Sequence, residues 1–391
     1  MKCLIVSHAC VARRYQEKIA ILAEDDRLDV TLVVPPYSLE GSRKVHLEND
    51  LGDGFRIIKA RTLFTDHMFI TLYLNMAGIL RSEMPDVVYM EEEPCSIVAA
   101  QIARARRKMG FKLIFFSWEN IAERWYRLPS PRAMVYPRCE RLVFSQAHGA
   151  VAGGTEAMQA LRRRGYRGPI EVIPQFGVDV DVFSKDDSLR LREQLGLEHF
   201  VVGYMGRLLP EKGVTILADA VARLTFPFNL LIIGRGPEKK RILRRVDELG
   251  MLPKTRFVDA VPHDSVAGYM NCIDVLVLPS VTTRIWKEQF GRILIEAMAS
   301  EVPVVGSNSG EIPHVIGPAG MVFDEGDPGH LAARISEVFA GDRAKLGKAA
   351  RRRVQQKYTM RKVAQDLREF IFIIYNSPSK GEHGSPTSAE S

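Results

Sequence analysis

Two glutamates, Glu288 and Glu296, stand eight positions apart in "WKEQFGRILIEAMAS", with Gly291 between them and an apolar run around the second. Ionised carboxylates only accept hydrogen bonds, so a pair beside a helix start suits a ligand rich in hydroxyls. On one helix, eight residues at ~100° each would leave them ~80° apart, which is no shared face. A helix that instead begins near Gly291 puts Glu288 in the preceding loop and Glu296 in the second turn. The two carboxylates then bracket the free amides of the helix N-terminus. Backbone donors around Gln289, Phe290 and Gly291 would meet the middle of a ligand whose ends the carboxylates hold.

A second constellation lies upstream. "VVGYMGRLLPEKGVTILADAVARL" starts as a strand, passes through Gly206, Arg207, Lys212 and Gly213, and ends as a helix. Free N-terminal amides and the helix dipole favour an anion at such a junction. Arg207 can fork onto phosphate oxygens while Lys212 supplies a mobile point charge, so together they suit a diphosphate. "LIIGRGPEKK" repeats the arrangement with Gly234 and Gly236, but it lacks the third glycine of the dinucleotide fingerprint. A ribose or nucleobase edge and an ordinary strand-to-helix turn both fit it. Diphosphate cradle and hydroxyl clamps together describe a nucleotide sugar as ligand.

The elements that must position these residues alternate. Apolar, β-branched runs ("CLIVS", "VTLVVP", "DVVYM", "KLIFFS", "GAVAG", then "FVVGYMG", "NLLIIG", "TRFVDAV", "DVLVLPS", "VPVVGS") are separated by amphipathic helical stretches. Strand then helix, repeated, predicts an α/β chain of parallel sheets covered by helices. The series pauses near 176 to 198, where a polar stretch marks a domain boundary. The expected organisation is two doubly wound, Rossmann-like domains, 1–185 and 186–360, the second carrying the nucleotide-sugar residues. An apolar helix at 361–376 should cross back to the first domain, and 377–391, rich in Ser, Gly and Pro, should be disordered.

Composition is that of a globular protein: 391 residues, 46% hydrophobic and 26% charged. Five scattered cysteines form no CxxC, which speaks against a disulfide framework or a thiolate zinc site. The first residues lack the core and cleavage site of a secretory signal, and the longest apolar stretch, from Leu63, carries Asp66 and His67. A cytoplasmic protein without a membrane span is expected. The net charge of +7 comes from clusters at 104–112, 162–168, 239–245 and 351–357. These read either as solvated helix faces or as contacts for phosphorylated substrates, nucleic acid or an anionic membrane surface. No nucleic-acid-binding module accompanies them, so nucleic acid is not an expected partner.

Taken in order, "GRLLPEKG", "IIGRGPE", "LPSVTTRIWKEQFGRILIEAMASEVPVVGSNSGEIPHVI" and "AGMVFDEGD" resemble the C-terminal half of retaining GT-B glycosyltransferases of family 4, with its Glu, seven residues, Glu signature. The resemblance implies a transferase moving a hexose-type sugar from a nucleotide sugar to a saccharide or lipid-linked acceptor, with no cofactor and no bound metal. It implies that the two domains face across a cleft with 1–185 on the acceptor side, that Arg207 and Lys212 hold the diphosphate, that Glu288 meets the donor sugar and Glu296 the ribose. Gln289, Phe290 and Gly291 would touch phosphate through their backbone. In the first half, Glu119 and Asn120 in "FSWENIAERWYRLPSP" occupy the place where many relatives carry a histidine. Glu119 is therefore expected at the acceptor hydroxyl, with His8, Arg13 and Arg14 of "SHACVARRYQEK" lining the acceptor side. Asn120 as a helix cap, and His8 as a structurally bonded histidine, are equally consistent. Glu91 to Glu93 of "MEEEP" read either as acceptor-binding groups or as solvated loop acids. Other readings are an epimerase or phosphorylase on the same fold, a basic binding protein, or a metal-dependent transferase using Asp179 and Asp181. The basic first domain and the amphipathic stretch at 63–80 leave room for peripheral contact with an anionic membrane, at the inner face.

Overall fold

The computed structural model describes residues 1–40, 43–48, 54–122, 132–186 and 188–378. The expected disordered tail therefore lies, from 379 on, outside the described residues. The chain divides into two compact units. Unit 1 comprises Met1–Gly153, Met158–Gln175 and the chain from Val363; unit 2 comprises Gly154–Ala157 and Phe176–Lys362. The division thus falls after Gln175, ahead of the expected 185. Residues just past it are tied into unit 2: Val178 bridges Thr359, and Arg351 donates to the carbonyls of Val180 at 3.0 Å and Phe183 at 3.1 Å.

Unit 1 is built on a seven-stranded sheet. With the strands numbered along the chain within the sheet, they lie in the order 7-6-5-4-1-2-3, every pair parallel. The central strands Lys2–Val6, Val87–Met90 and Lys112–Ser117 are almost wholly buried, as expected where helices cover both faces. Three strands absent from the sequence reading complete the picture. Arg56–Lys59 and Ile170–Val172 form the edges of this sheet, and Met321–Phe323 forms an edge in unit 2. Each is short; Arg56, Lys59 and Glu171 interrupt the first two, and Met321–Phe323 is apolar but only three residues long. Two antiparallel ribbons, Tyr37–Glu40 with Arg43–His46 and Thr62–Leu63 with Leu72–Tyr73, follow the carboxyl ends of the second and third strands.

The helix Met360–Asn376 supplies Val363, Leu367, Phe370, Ile371 and Ile374 to the core of unit 1, beside Ile114, Phe116 and Val151 of the sheet. Gly149 makes room for it, since a Cβ there would lie within 3 Å of Ile374 and Phe370 side-chain carbons.

Unit 2 holds six parallel strands in the order 3-2-1-4-5-6. The strand order reverses between Phe200–Met205 and Val275–Leu278. In sheets of this kind the crevice beyond the carboxyl ends at that reversal is where ligands bind. The same reversal occurs in unit 1 between Lys2–Val6 and Val87–Met90.

Candidate functional site

In unit 2 the loops leaving the two strands at the reversal carry most of the residues singled out by spacing. Phe200–Met205 runs into Gly206 and Arg207, a short 3-10 turn Pro210–Lys212, and the helix Val214–Val221. Val275–Leu278 runs into Pro279, Ser280 and the long loop ending at Gly291, after which the helix Arg292–Ala299 begins. Glu288 therefore lies in the loop and Glu296 in the second turn, on either side of the helix N-terminus.

Glu288 is buried, and the Lys212 ammonium donates to its Oε2 at 2.6 Å. The Ser280 hydroxyl donates to the same oxygen at 2.7 Å. The Lys212 ammonium also lies 4.6 Å from the centre of the Trp286 ring. The ion pair offsets the cost of burying the carboxylate and points both groups into one place. The Glu288 backbone is fixed too: its carbonyl accepts from Glu311 N–H at 3.0 Å, against Gly310, which adopts φ +56°. A Cβ on Gly310 would sit 2.0 Å from that carbonyl oxygen, so only glycine fits. Ser280, Trp286 and Gly310 were not singled out by sequence reasoning. A serine or glycine within a long motif carries no signal until the fold shows what it touches.

Glu296 is buried and paired with Arg292, whose Nε lies 2.9 Å from Oε1. It closes one end of a cleft of about 370 Å³, lined also by Gly206, Arg207, Gly234, Arg235 and Ile293. Arg207 is exposed on this cleft, with its carbonyl fixed by the Tyr204 hydroxyl at 2.7 Å. Gly234 lines the cleft as well, but its lack of a side chain serves the protein first. A Cβ there would meet the Gly206 carbonyl oxygen at 1.9 Å. Gly236 lies likewise against the Leu208 carbonyl. Phe290 is buried and its ring packs edge-on against Tyr358 at 5.8 Å. Gln289 and Gly291 flank it at the helix start.

Asp179 Oδ1 accepts from Asp181 N–H at 2.8 Å and Val182 N–H at 3.2 Å, closing a local turn. Several residues of the basic clusters bond within the fold. Arg162 donates to the carbonyls of Tyr166 and Gly168, Arg245 pairs with Asp219, and Arg353 donates to the carbonyls of Val315 and His314.

Unit 1 gathers carboxylates beyond its first and fourth strands. Glu91 and Glu92 are fully buried and Glu93 is half-buried, so they are not solvated loop acids. Glu91 is bonded by Lys18 and by the Ser7 hydroxyl, the latter at 2.8 Å, and Lys18 also donates to the Gln175 carbonyl at 2.7 Å. Glu92 Oε1 receives His8 N–H at 3.1 Å and faces His8 Nδ1 at 3.0 Å. Burial works against a charged His8 ring, but the field of Glu92 and its neighbours and the hydrogen bond with Glu92 outweigh it, and the pKa is raised. Glu93 accepts from Ser117 Oγ at 2.8 Å and Trp118 N–H at 2.7 Å. Burial, reinforced by nearby Glu119, pushes its pKa up to about 7. Glu119 is buried, and its Oε1 accepts from Ile121 N–H at 3.1 Å. Arg13 is exposed, its N–H bonded to Glu48, and the Arg14 guanidinium lies over the Tyr15 ring. His8 and Glu92 line a cavity of about 230 Å³; Arg13 and Arg14 are not among its described lining residues.

The family model "Glycosyl transferases group 1" matches residues 187–353, and "Glycosyl transferase 4-like domain" matches residues 11–176. Among curated relatives, a protein named D-inositol 3-phosphate glycosyltransferase of Mycolicibacterium vanbaalenii is 31% identical over 44% of this chain and 41% of its own length. A GDP-mannose-dependent alpha-(1-6)-phosphatidylinositol monomannoside mannosyltransferase of Mycolicibacterium smegmatis is 29% identical over 58% of this chain and 70% of its own length. The alignments with the inositol phosphate enzymes span only about half or less of those proteins. Among solved structures, sucrose-phosphate synthase from Thermosynechococcus elongatus aligns with TM-score 0.72 at 20% identity over 96% of this chain and 99% of that one. Anabaena Alr3699/HepE in complex with UDP aligns with TM-score 0.72 at 20% identity over 95% and 100% of the two chains. With two doubly wound parallel sheets, the ordered motifs and a family match in each half, the chain belongs to the group 1, family 4 glycosyl transferases of the GT-B fold.

Proposed function

We propose that this protein is a retaining glycosyltransferase that needs no metal. It moves a hexose-type sugar from a nucleotide-sugar donor to a saccharide or lipid-linked acceptor, in polysaccharide or glycolipid synthesis at the cytoplasmic side of a membrane. The observation that carries the reading is the helix start at Gly291, flanked by the Lys212–Glu288–Ser280 cluster on one side and by the Glu296 cleft on the other.

The cleft takes the nucleoside, its apolar walls Met205, Ile233 and Val266 facing the base and Glu296 accepting from ribose hydroxyls. Arg207, Lys212 and the amides near Gly291 neutralise the diphosphate. As the glycosidic bond breaks, charge builds on the departing diphosphate while the sugar becomes oxocarbenium-like. Preorganised cations and amides stabilise that charge where it develops, which is the role a metal would otherwise have. Glu288, held by Lys212, accepts from the sugar hydroxyls. Attack comes from the same face, with a donor phosphate oxygen helping to take the acceptor proton, and Glu119 and His8 serve the acceptor side. The names of the relatives supply donors to begin with, GDP-mannose and UDP-glucose. Titration calorimetry with a panel of nucleotide sugars tests the reading without an acceptor. Binding of one of them, unaffected by a chelator and lost in Arg207→Ala, is expected; no binding across the panel would remove the reading.

A further inference from the structure

The cavity of unit 1 lies where its strand order reverses, beyond Lys2–Val6 and Val87–Met90. Two of its walls are buried polar groups. Glu92 is 2% exposed, and both bonds from His8 fall on Oε1, which leaves Oε2 without a bond among the described residues. Tyr73 is 1% exposed, and its hydroxyl is buried with no hydrogen-bond partner among the described residues. Buried hydroxyls are ordinarily bonded, so this one calls for a partner from outside the chain. Burial first, and the Glu92 charge second, hold the Tyr73 pKa well above that of an ordinary phenol, so it stays a neutral donor. The group is also rigid. Its backbone N–H donates to Gln101 and its carbonyl accepts from Gln101, each at 3.1 Å.

Charge narrows the ligand. Among the described lining residues there is no lysine or arginine. His8 is matched by Glu92, and Asp66 by Lys44 at 3.2 Å, so neither pair leaves a surplus of positive charge. A phosphate here would approach two carboxylates without a cationic fork to receive it. Sugar hydroxyls, which both give and accept, match a carboxylate beside a phenol, and Pro35 and Met68 offer apolar surface to the C–H face of a ring.

We propose that this cavity binds an uncharged, hydroxyl-rich pyranose unit, with Glu92 accepting and Tyr73 donating, and discriminates against its phosphomonoesters. As the acceptor subsite this rests on the transferase reading above; as a binding site it stands independently. The test is a titration followed by ligand-observed NMR on the full chain without nucleotide. The probes are methyl glucoside, methyl galactoside and methyl mannoside, each beside the phosphomonoester of the same sugar. At least one neutral glycoside should bind, roughly tenfold more tightly than its phosphate. Tyr73→Phe, which keeps the ring and its packing, should weaken it roughly fivefold to tenfold and leave nucleotide-sugar binding unchanged. Phosphomonoesters binding as well as the glycosides, or an unaltered affinity in Tyr73→Phe, would overturn the proposal. Nucleotide-sugar binding with no glycoside binding would sink the cavity assignment alone; the converse would sink the transferase reading alone.

Discussion

At the scale of single residues, Glu288 lies in the loop before a helix and Glu296 in its second turn. Each has its own cation, Lys212 for Glu288 and Arg292 for Glu296, and each borders a different side of one helix start. Glu288→Gln should reduce kcat by a factor on the order of 10² to 10³, the size of one lost transition-state contact, with little change in nucleotide affinity by calorimetry. Lys212→Ala leaves the Glu288 carboxylate buried beside Ser280, and should lower stability by about 3–5 kcal/mol in urea unfolding. Pairing it with Glu288→Gln should recover most of that loss. Glu93 makes a pH prediction. Its folded pKa is raised from 4.5 to about 7, so between those values the folded state holds a proton that the unfolded state has released. Stability from this group is therefore full below pH 4.5, falls as pH rises to about 7 and is flat beyond it. Melting temperatures across that range should fall less steeply in Glu93→Gln than in the parent protein.

At the scale of elements, the central strands and the helix start at Gly291 were legible because both rest on local patterns, a fully apolar run and a glycine before an amphipathic helix. The short edge strands were not legible, since half their surface faces water and they carry residues such as Arg56 and Glu171. Nor were Ser280 and Gly310, whose importance comes from contact with Glu288. The Gly234 loop shows the difference between motif and cause. Spacing left a ligand edge and an ordinary strand-to-helix turn both open for Gly234, and the backbone of the neighbouring Gly206 loop fills the place of a Cβ there, at φ +148°. Gly234→Ala should then destabilise the apo protein by several kcal/mol, visible as a lower Tm without any nucleotide present. A wild-type Tm with weakened nucleotide binding alone would refute that cause.

At the scale of the molecule, the chain ends its last helix in the unit where it began. Phe370 and Ile374 are buried against the strand Gly149–Ala152 of unit 1, far from them in sequence. Phe370→Ala should cost about 3–5 kcal/mol by leaving a core cavity. In limited proteolysis, fragments from unit 1 should then appear before fragments from unit 2. Equal susceptibility of both units would argue against a core shared only within unit 1.

The sequence by itself determined two doubly wound domains, the placement of Glu288 and Glu296 around a helix start and the nearby basic pair, because helical and strand periodicity and loop glycines act within a few residues. Only the tertiary structure decided the rest: that Lys212 pairs with Glu288 across 76 positions, that His8 meets Glu92 across 84, and that Tyr73, its hydroxyl buried and unbonded among the described residues, lines the same cavity. Parallel strands joined by crossovers bring distant loops to one sheet edge, and no local pattern records which loops will meet there.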